Sequence, residues 1–253
     1  MKNLTYLLSV LIGIVLFNTT VFAGAADNGK LTFASREVKT YIKENKYSYK
    51  ITYPKLINYS NKLAENNLNQ KIYSIVLANI KTFNDRYNEL GTDRPYACGM
   101  LRMDYIMRNK TNNIVSIKFK GTVNYGGSNV YPESSLNYDL IRDRDIKLEN
   151  LFSSSSYLNV IESFCNKEMK KRFTYLREWK LKQNPDDTIE SYDDGTSIHY
   201  GKIEGFTMTG DSLLIMLGIV GCNADGPQEV TIPYSAMKDI IDPDGPAGHF
   251  LKK

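Results

Sequence analysis

The chain has 253 residues and a mass of 28.8 kDa, the size of one large domain or two small ones. Hydrophobic residues make up 42% and charged residues 24%, a globular balance that excludes a disordered or collagen-like chain. The 32 basic and 28 acidic residues leave a net +4, too small and too dispersed to indicate nucleic acid as a partner.

Residues 1–23 read as a cleavable signal peptide. Lys2 supplies the positive start, Leu4 to Phe17 the apolar core, and Val21-Phe22-Ala23 or Ala23-Gly24-Ala25 the small residues that a signal peptidase needs. Asn18-Thr19-Thr20 makes the apolar run too short for a membrane anchor, and no basic stop-transfer cluster follows. After cleavage no stable membrane span is expected: the best later candidate, Leu213 to Val220, reads as a buried strand. The expected location is periplasmic or secreted, with a mature charge of +3 once Lys2 is lost.

Asp27 to Ser35 reads as a short extended lead-in. Tyr47, Tyr49, Ile51 and Tyr53 alternate with Ser48, Lys50 and Thr52, which predicts a half-buried strand ended by Pro54. Leu68, Ile72, Ile75, Val76, Ile80, Phe83 and Tyr87 recur at three- and four-residue steps and predict one helix over Ser60 to Glu89. Leu101, Met103, Tyr105 and Met107, the turn Asn109 to Asn113, and the alternating run from Val115 to Tyr125 predict a long hairpin. Gly126-Gly127-Ser128 breaks it before a third strand at Leu136, Tyr138 and Leu140.

Further along, Ser153 to Ser156 supplies a cap for a helix from Tyr157 to about Trp179. Asn184 to Gly195 is a polar loop; Phe206 and Met208, the turn Thr209 to Ser212, and Leu213 to Leu217 predict a hairpin. Val230 to Pro233 ends the last strand, and Tyr234 to Ile241 suits a short terminal helix. The expected class is α+β, with antiparallel sheets and a long helix packed on one face in each half. The halves are residues 30–140 and 141–245, followed by a frayed tail at 246–253.

Chemical motifs are sparse. There is no GxSxG, and neither His199 nor His249 sits in a catalytic signature. Gly195 to Lys202 has one residue too many between its glycines for a phosphate loop and Ile203 in place of the Ser or Thr. Asp242-Pro243-Asp244-Gly245 lacks the further ligands of a calcium loop and reads as turn chemistry. Cys98, Cys165 and Cys222 match no metal or redox motif. Either one pair closes in an oxidising compartment, leaving an odd thiol, or all three pack as small hydrophobes. No cofactor and no metal are expected.

Several short segments resemble the paired extracellular domains of the anti-sigma factor RsiV and the peptidoglycan deacetylase PdaC. They are Tyr53-Pro54 and Leu68 to Ile72, then Leu136 to Leu140 and Ile146 to Phe152, and finally Phe206 to Met216 and Gly226 to Tyr234. The resemblance implies a PdaC-like first half and an RsiV C-terminal-like second half, an extracellular binding module rather than a catalytic one. The expected partner is lysozyme or another wall hydrolase, or the glycan of peptidoglycan. Nothing in the chain matches a sigma-binding segment or a deacetylase domain.

The expected partner surface is the loop from Gly218 to Gly226, with Gly221 and Asn223, together with Pro227 and Tyr234. Beside it lies the loop from Gly126 to Pro132, and Tyr131 and Tyr234 are the expected anchors. The same loop, Leu217 to Asp225, lacks the aromatic residues and prolines that the resemblance implies there. Two other classes compete. One is an envelope enzyme acting on glycan with Asp186, Asp187, Asp193 or Asp194 as acid/base groups. The other is a structural subunit of an envelope complex.

Overall fold

The computed structural model describes residues 31–42, 47–89, 99–111, 113–125, 129–183, 203–219 and 227–251. The fold is α+β: two sheets and two long helices. The chain opens with β1 (Thr32–Ile42) and β2 (Tyr47–Ile57), paired antiparallel along their whole length from Thr32↔Ile57 to Ile42↔Tyr47. Within the expected lead-in at Asp27 to Ser35, Asp27 to Lys30 lie outside the described residues, and Thr32 to Ser35 is the start of a full strand. Its edge position and its Arg36, Glu37 and Lys39 hide the alternation that marks a half-buried strand.

Pro54 does not end β2. It pairs with Ser35, beyond Ile51 where the next strand stops pairing with β2, and a proline is tolerated where a strand has an open edge. Helix α1 (Lys62–Glu89) follows, capped by Asn61, whose Oδ1 accepts from Leu63 N at 3.1 Å and Ala64 N at 3.2 Å. Its Ala64, Leu68, Ile72, Val76 and Phe83 are buried with Ile51, Leu56, Leu101, Val115, Ile117 and Phe119.

This helix carries the chain back across the sheet, so β3 (Gly99–Thr111) runs parallel to β2. The expectation of antiparallel pairing throughout fails here, because a long helical crossover returns the next strand in the same direction. β3 then pairs antiparallel with β4 (Ile114–Tyr125) as the predicted hairpin. The rest of the first sheet is β5 (Asn129–Val130) and β6 (Glu133–Asp139), both on β4, and β7 (Arg144–Asp145) on β6.

Helix α2 (Tyr157–Gln183) extends a turn past the expected end. β8 (Ile203–Met208), β9 (Ser212–Ile219) and β10 (Pro227–Pro233) make the second sheet in the order β10-β9-β8. Ile161, Cys165 and Met169 of α2 share a core with Met208, Leu213, Ile215, Val230 and Ile232. The predicted terminal helix is only a 3-10 turn at Tyr234–Ala236, followed by tight turns through Asp242.

The expected frayed tail is instead packed. Ala247 and Phe250 are buried, and the Phe250 ring stacks on Tyr234 with centroids 5.4 Å apart. A Cβ on Gly248 would stand 2.0 Å from the Pro243 carbonyl oxygen, so only glycine permits this close return. Asp242 Oδ1 accepts from Asp244 N at 3.0 Å, the turn chemistry expected of that Asp-Pro step.

The sheets meet along β4 and β6 on one side and β8 and β10 on the other. Asn137 Nδ2 donates to Phe206 O at 2.8 Å, and Met208 N donates to Ser116 Oγ at 2.8 Å. Lys118 lies nearby, nearly buried, with Nζ 2.8 Å from Glu133 Oε2 and 3.2 Å from Glu229 Oε2, and Arg108 reaches Glu229 Oε1 at 2.7 Å. Charges taken out of water need such partners.

Candidate functional site: a groove on the first sheet

Strand alternation gives the first sheet two faces. Leu101, Met103, Val115, Ile117, Phe119 and Val123 point into the core that holds α1. The residues between them, Arg102 and Asp104 on β3 and Ser116, Lys118, Lys120 and Thr122 on β4, point the other way. The second sheet covers only the Ser116–Lys118 end of that face. The remainder forms an open groove of about 1050 Å³, running from Lys39 on β1 across β2, β3 and β4 to Tyr131 and Pro227.

The groove carries four cations, Lys39, Lys50, Arg102 and Lys120, against two carboxylates, Asp104 and Glu133. Register places three of the cations in one row: Lys39 is opposite Lys50 on the antiparallel pair, and Lys50 is opposite Arg102 on the parallel pair. Like charges opposed in this way cost stability. Glu37 offsets part of the cost, its carboxylate lying 3.6 Å from Lys39 Nζ and 3.1 Å from Lys50 Nζ. Glu133 is already held by Lys118. Among the described residues Arg102 and Lys120 have no ion-pair partner, although both are exposed.

Hydroxyls line the same floor, from Ser48, Thr52 and Thr122. Tyr49 turns to the α1 side of the sheet, where burial, aided by the neighbouring Tyr47, raises its phenol above its ordinary value. Gly121 lets the rim come close. Its N–H donates to Pro132 O at 2.9 Å, and a Cβ there would stand 2.8 Å from the Arg102 carbonyl oxygen and 3.2 Å from Pro132 Cγ.

The residues expected to contact a partner divide into three sets. Tyr131, 38% exposed, and Pro227 come together on the groove, with Pro132 packed behind Tyr131 on Gly121. Tyr234 and Gly218 are corrected to interior positions. Tyr234 is 2% exposed, with its ring on Phe250 and its hydroxyl 3.4 Å from Thr209 O, and burial raises its pKa. Gly218 is buried in β9, where a Cβ would stand 2.8 Å from Glu204 Oε1. Neither can meet a partner in the folded chain. Gly221, Asn223 and Gly226 lie outside the described residues, as do Gly126 and Gly127.

Cys165 is a free thiol buried in α2; Cys98 and Cys222 lie outside the described residues. So do Asp186, Asp187, Asp193, Asp194 and His199, while His249 is exposed on the terminal 3-10 turn. Among the described residues no three His, Cys, Asp or Glu side chains gather as a metal site. No described helix is long and apolar enough to cross a membrane.

Sequence reasoning missed the cation row. The alternation that marks β2 and β3 already assigns Lys50 and Arg102 to the face away from the core. Their adjacency depends on the parallel pairing of β2 and β3, which alternation does not encode.

No family model matches the chain, and no curated protein matches it. What matches is a set of solved structures, and they define the chain as an α+β protein with the fold seen in DUF3298-family domains. One is a DUF3298 family member from Bacteroides fragilis, 16% identical, covering 90% of this chain and 100% of that one with a TM-score of 0.62. Another is a DUF3298 family protein from Pseudomonas aeruginosa PAO1, 14% identical, covering 87% and 97% with a TM-score of 0.53. At these identities the likeness is one of fold. DUF3298 is a domain family related to the one whose motifs the sequence resembles.

Proposed function

We propose that the protein is an exported, non-enzymatic binding module of the cell envelope, and that the groove on the first sheet is its ligand surface. The signal-like residues 1–23 support export, and the motifs shared with RsiV and PdaC support a PdaC-like half joined to an RsiV-like half. The observation that carries the reading is that Tyr131, just before β6, and Pro227, at the start of β10, line one open groove although they are far apart in sequence. An exposed aromatic ring beside closely packed backbone is the kind of anchor that binding surfaces use. The ligand is peptidoglycan or a wall hydrolase such as lysozyme.

The test is binding of the chain from Gly24 onward, which carries every described residue, to purified peptidoglycan sacculi and to a panel of lysozymes. Saturable binding to either below about 1 μM, roughly −8 kcal/mol, that weakens at least tenfold in Tyr131→Ala without loss of stability is expected. Binding that ignores Tyr131→Ala, or no binding to any probe, contradicts the reading.

A further inference from the structure

We infer that the groove is selective for anions, and that its ligand is the carboxylate-bearing glycan of peptidoglycan rather than a cationic wall hydrolase. This rests on the groove being the ligand surface and names what that surface selects. The chain's net charge is small, so the concentration of cations on one face is a local feature and not a consequence of composition.

Adjacent strands are about 4.8 Å apart, so Lys39, Lys50 and Arg102, in register on β1, β2 and β3, set positive charge at regular intervals over about 10 Å. Lys120 lies in register between Asp104 on β3 and Glu133 on β6, so these carboxylates partly offset it and bound the patch at β4. Glu37 is shared between two lysines, and Glu133 is committed to Lys118. Arg102, which faces Lys50 and Thr122 and no carboxylate, is left to meet an incoming anion with Lys120 beside it, and a guanidinium presents the forked donor geometry that suits a carboxylate.

A lone phosphate or carboxylate would need only a pocket, whereas this surface is a trough across four strands. Its hydroxyls at Ser48, Thr52 and Thr122 and the exposed ring of Tyr131 suit a polyhydroxylated chain lying along it. Peptidoglycan combines sugar hydroxyls with the free carboxylates of its stem peptides, repeated along the glycan. A cationic hydrolase would bring like charge to the row, which slows encounter and costs affinity.

The experiment measures binding of the chain from Gly24 onward to sacculi stripped of phosphate polymers, to the same sacculi with carboxylates amidated, to poly-glutamate and to lysozyme. Arg102→Gln/Lys120→Gln and Tyr131→Ala are compared with the unaltered chain, with thermal unfolding confirming that each variant folds. Expected are binding to stripped sacculi, a fall of at least tenfold on amidation and in the double variant, and weakening with added salt. Sacculus binding that is lost in Tyr131→Ala but unchanged by amidation and by the double variant would overturn anion selection while leaving the groove as the binding surface. Equal binding to poly-glutamate would overturn the glycan assignment. Saturable lysozyme binding would overturn the choice of ligand, and sacculus binding indifferent to every variant would overturn the groove reading itself.

Discussion

Ser116 Oγ donates to Asn137 Oδ1 at 2.6 Å, and both side chains are buried where the two sheets meet. They face each other across β4 and β6, and each reaches β8: Ser116 Oγ accepts from Met208 N and Asn137 Nδ2 donates to Phe206 O. The pair continues the β8 edge into the first sheet, so removing either side chain strands buried backbone groups. Ser116→Ala and Asn137→Ala are each expected to lower stability by about 1–3 kcal/mol. Urea unfolding of the double variant should show a loss smaller than the two losses combined, because both remove the same bond.

Lys118 and Lys120 share a face of β4 two residues apart, yet they should respond differently. Lys118 is 6% exposed and holds Glu133 and Glu229; Lys120 is exposed in the groove. Lys118→Met leaves Glu133 uncompensated and Glu229 with Arg108 alone, and is expected to cost about 3–5 kcal/mol. Lys120→Gln is expected to stay within about 0.5 kcal/mol. Chemical denaturation of both variants checks the contrast, and equal effects would refute the division of this face into seam and groove.

The C-terminal segment belongs to the second core. Tyr234→Ala is expected to cost about 3–5 kcal/mol, whereas Tyr234→Phe loses only a long hydroxyl contact and is expected to cost under about 1 kcal/mol. Ending the chain after Gly245 removes Ala247 and Phe250 and should lower the melting temperature markedly. A stable Tyr234→Ala variant with weakened ligand binding would restore Tyr234 as a surface anchor.

Burial, with the Glu162 carboxylate adding to it, pushes the Cys165 thiol up to about 11. The thiolate is therefore scarce at pH 8, and site-resolved mass spectrometry should find Cys165 alkylated far more slowly in the native chain than in urea. The raised value also sets a sign for stability. Folding disfavours the thiolate, so this group's contribution is complete below the unfolded thiol's pKa near 9 and is lost as pH rises toward about 11. Cys165→Ala should flatten that part of the stability–pH curve.

How much of this was legible in the sequence depends on how local the signal is. The stripe from Leu68 to Tyr87 and the alternation from Leu101 to Tyr125 fixed α1 and the β3–β4 hairpin to within a residue or two, because core packing imposes the period directly. β1 was illegible, since an edge strand is charged for reasons of its own. The tail at 246–253 reads as frayed from its proximity to the chain end, which says nothing about packing, and Tyr234 reads as a surface anchor because nothing local shows that the turn through Gly248 lays Phe250 over it. Tyr131 and Pro227 were read as one surface from loop chemistry, and they do share the groove. Arg102 and Lys120 escaped notice because their meaning lies in register with other strands.

The most direct test is an NMR titration of the isotopically labelled chain from Gly24 onward with soluble muropeptide fragments of peptidoglycan. Amide shifts are expected to cluster on the outward face at Lys50, Arg102, Lys120, Thr122 and Tyr131, and to shrink as salt is added. Shifts gathered instead on the exposed side of α1 around Leu63, Tyr73 and Leu77, or no shifts at millimolar fragment while a lysozyme titration perturbs the chain, would contradict the groove as a peptidoglycan-binding surface.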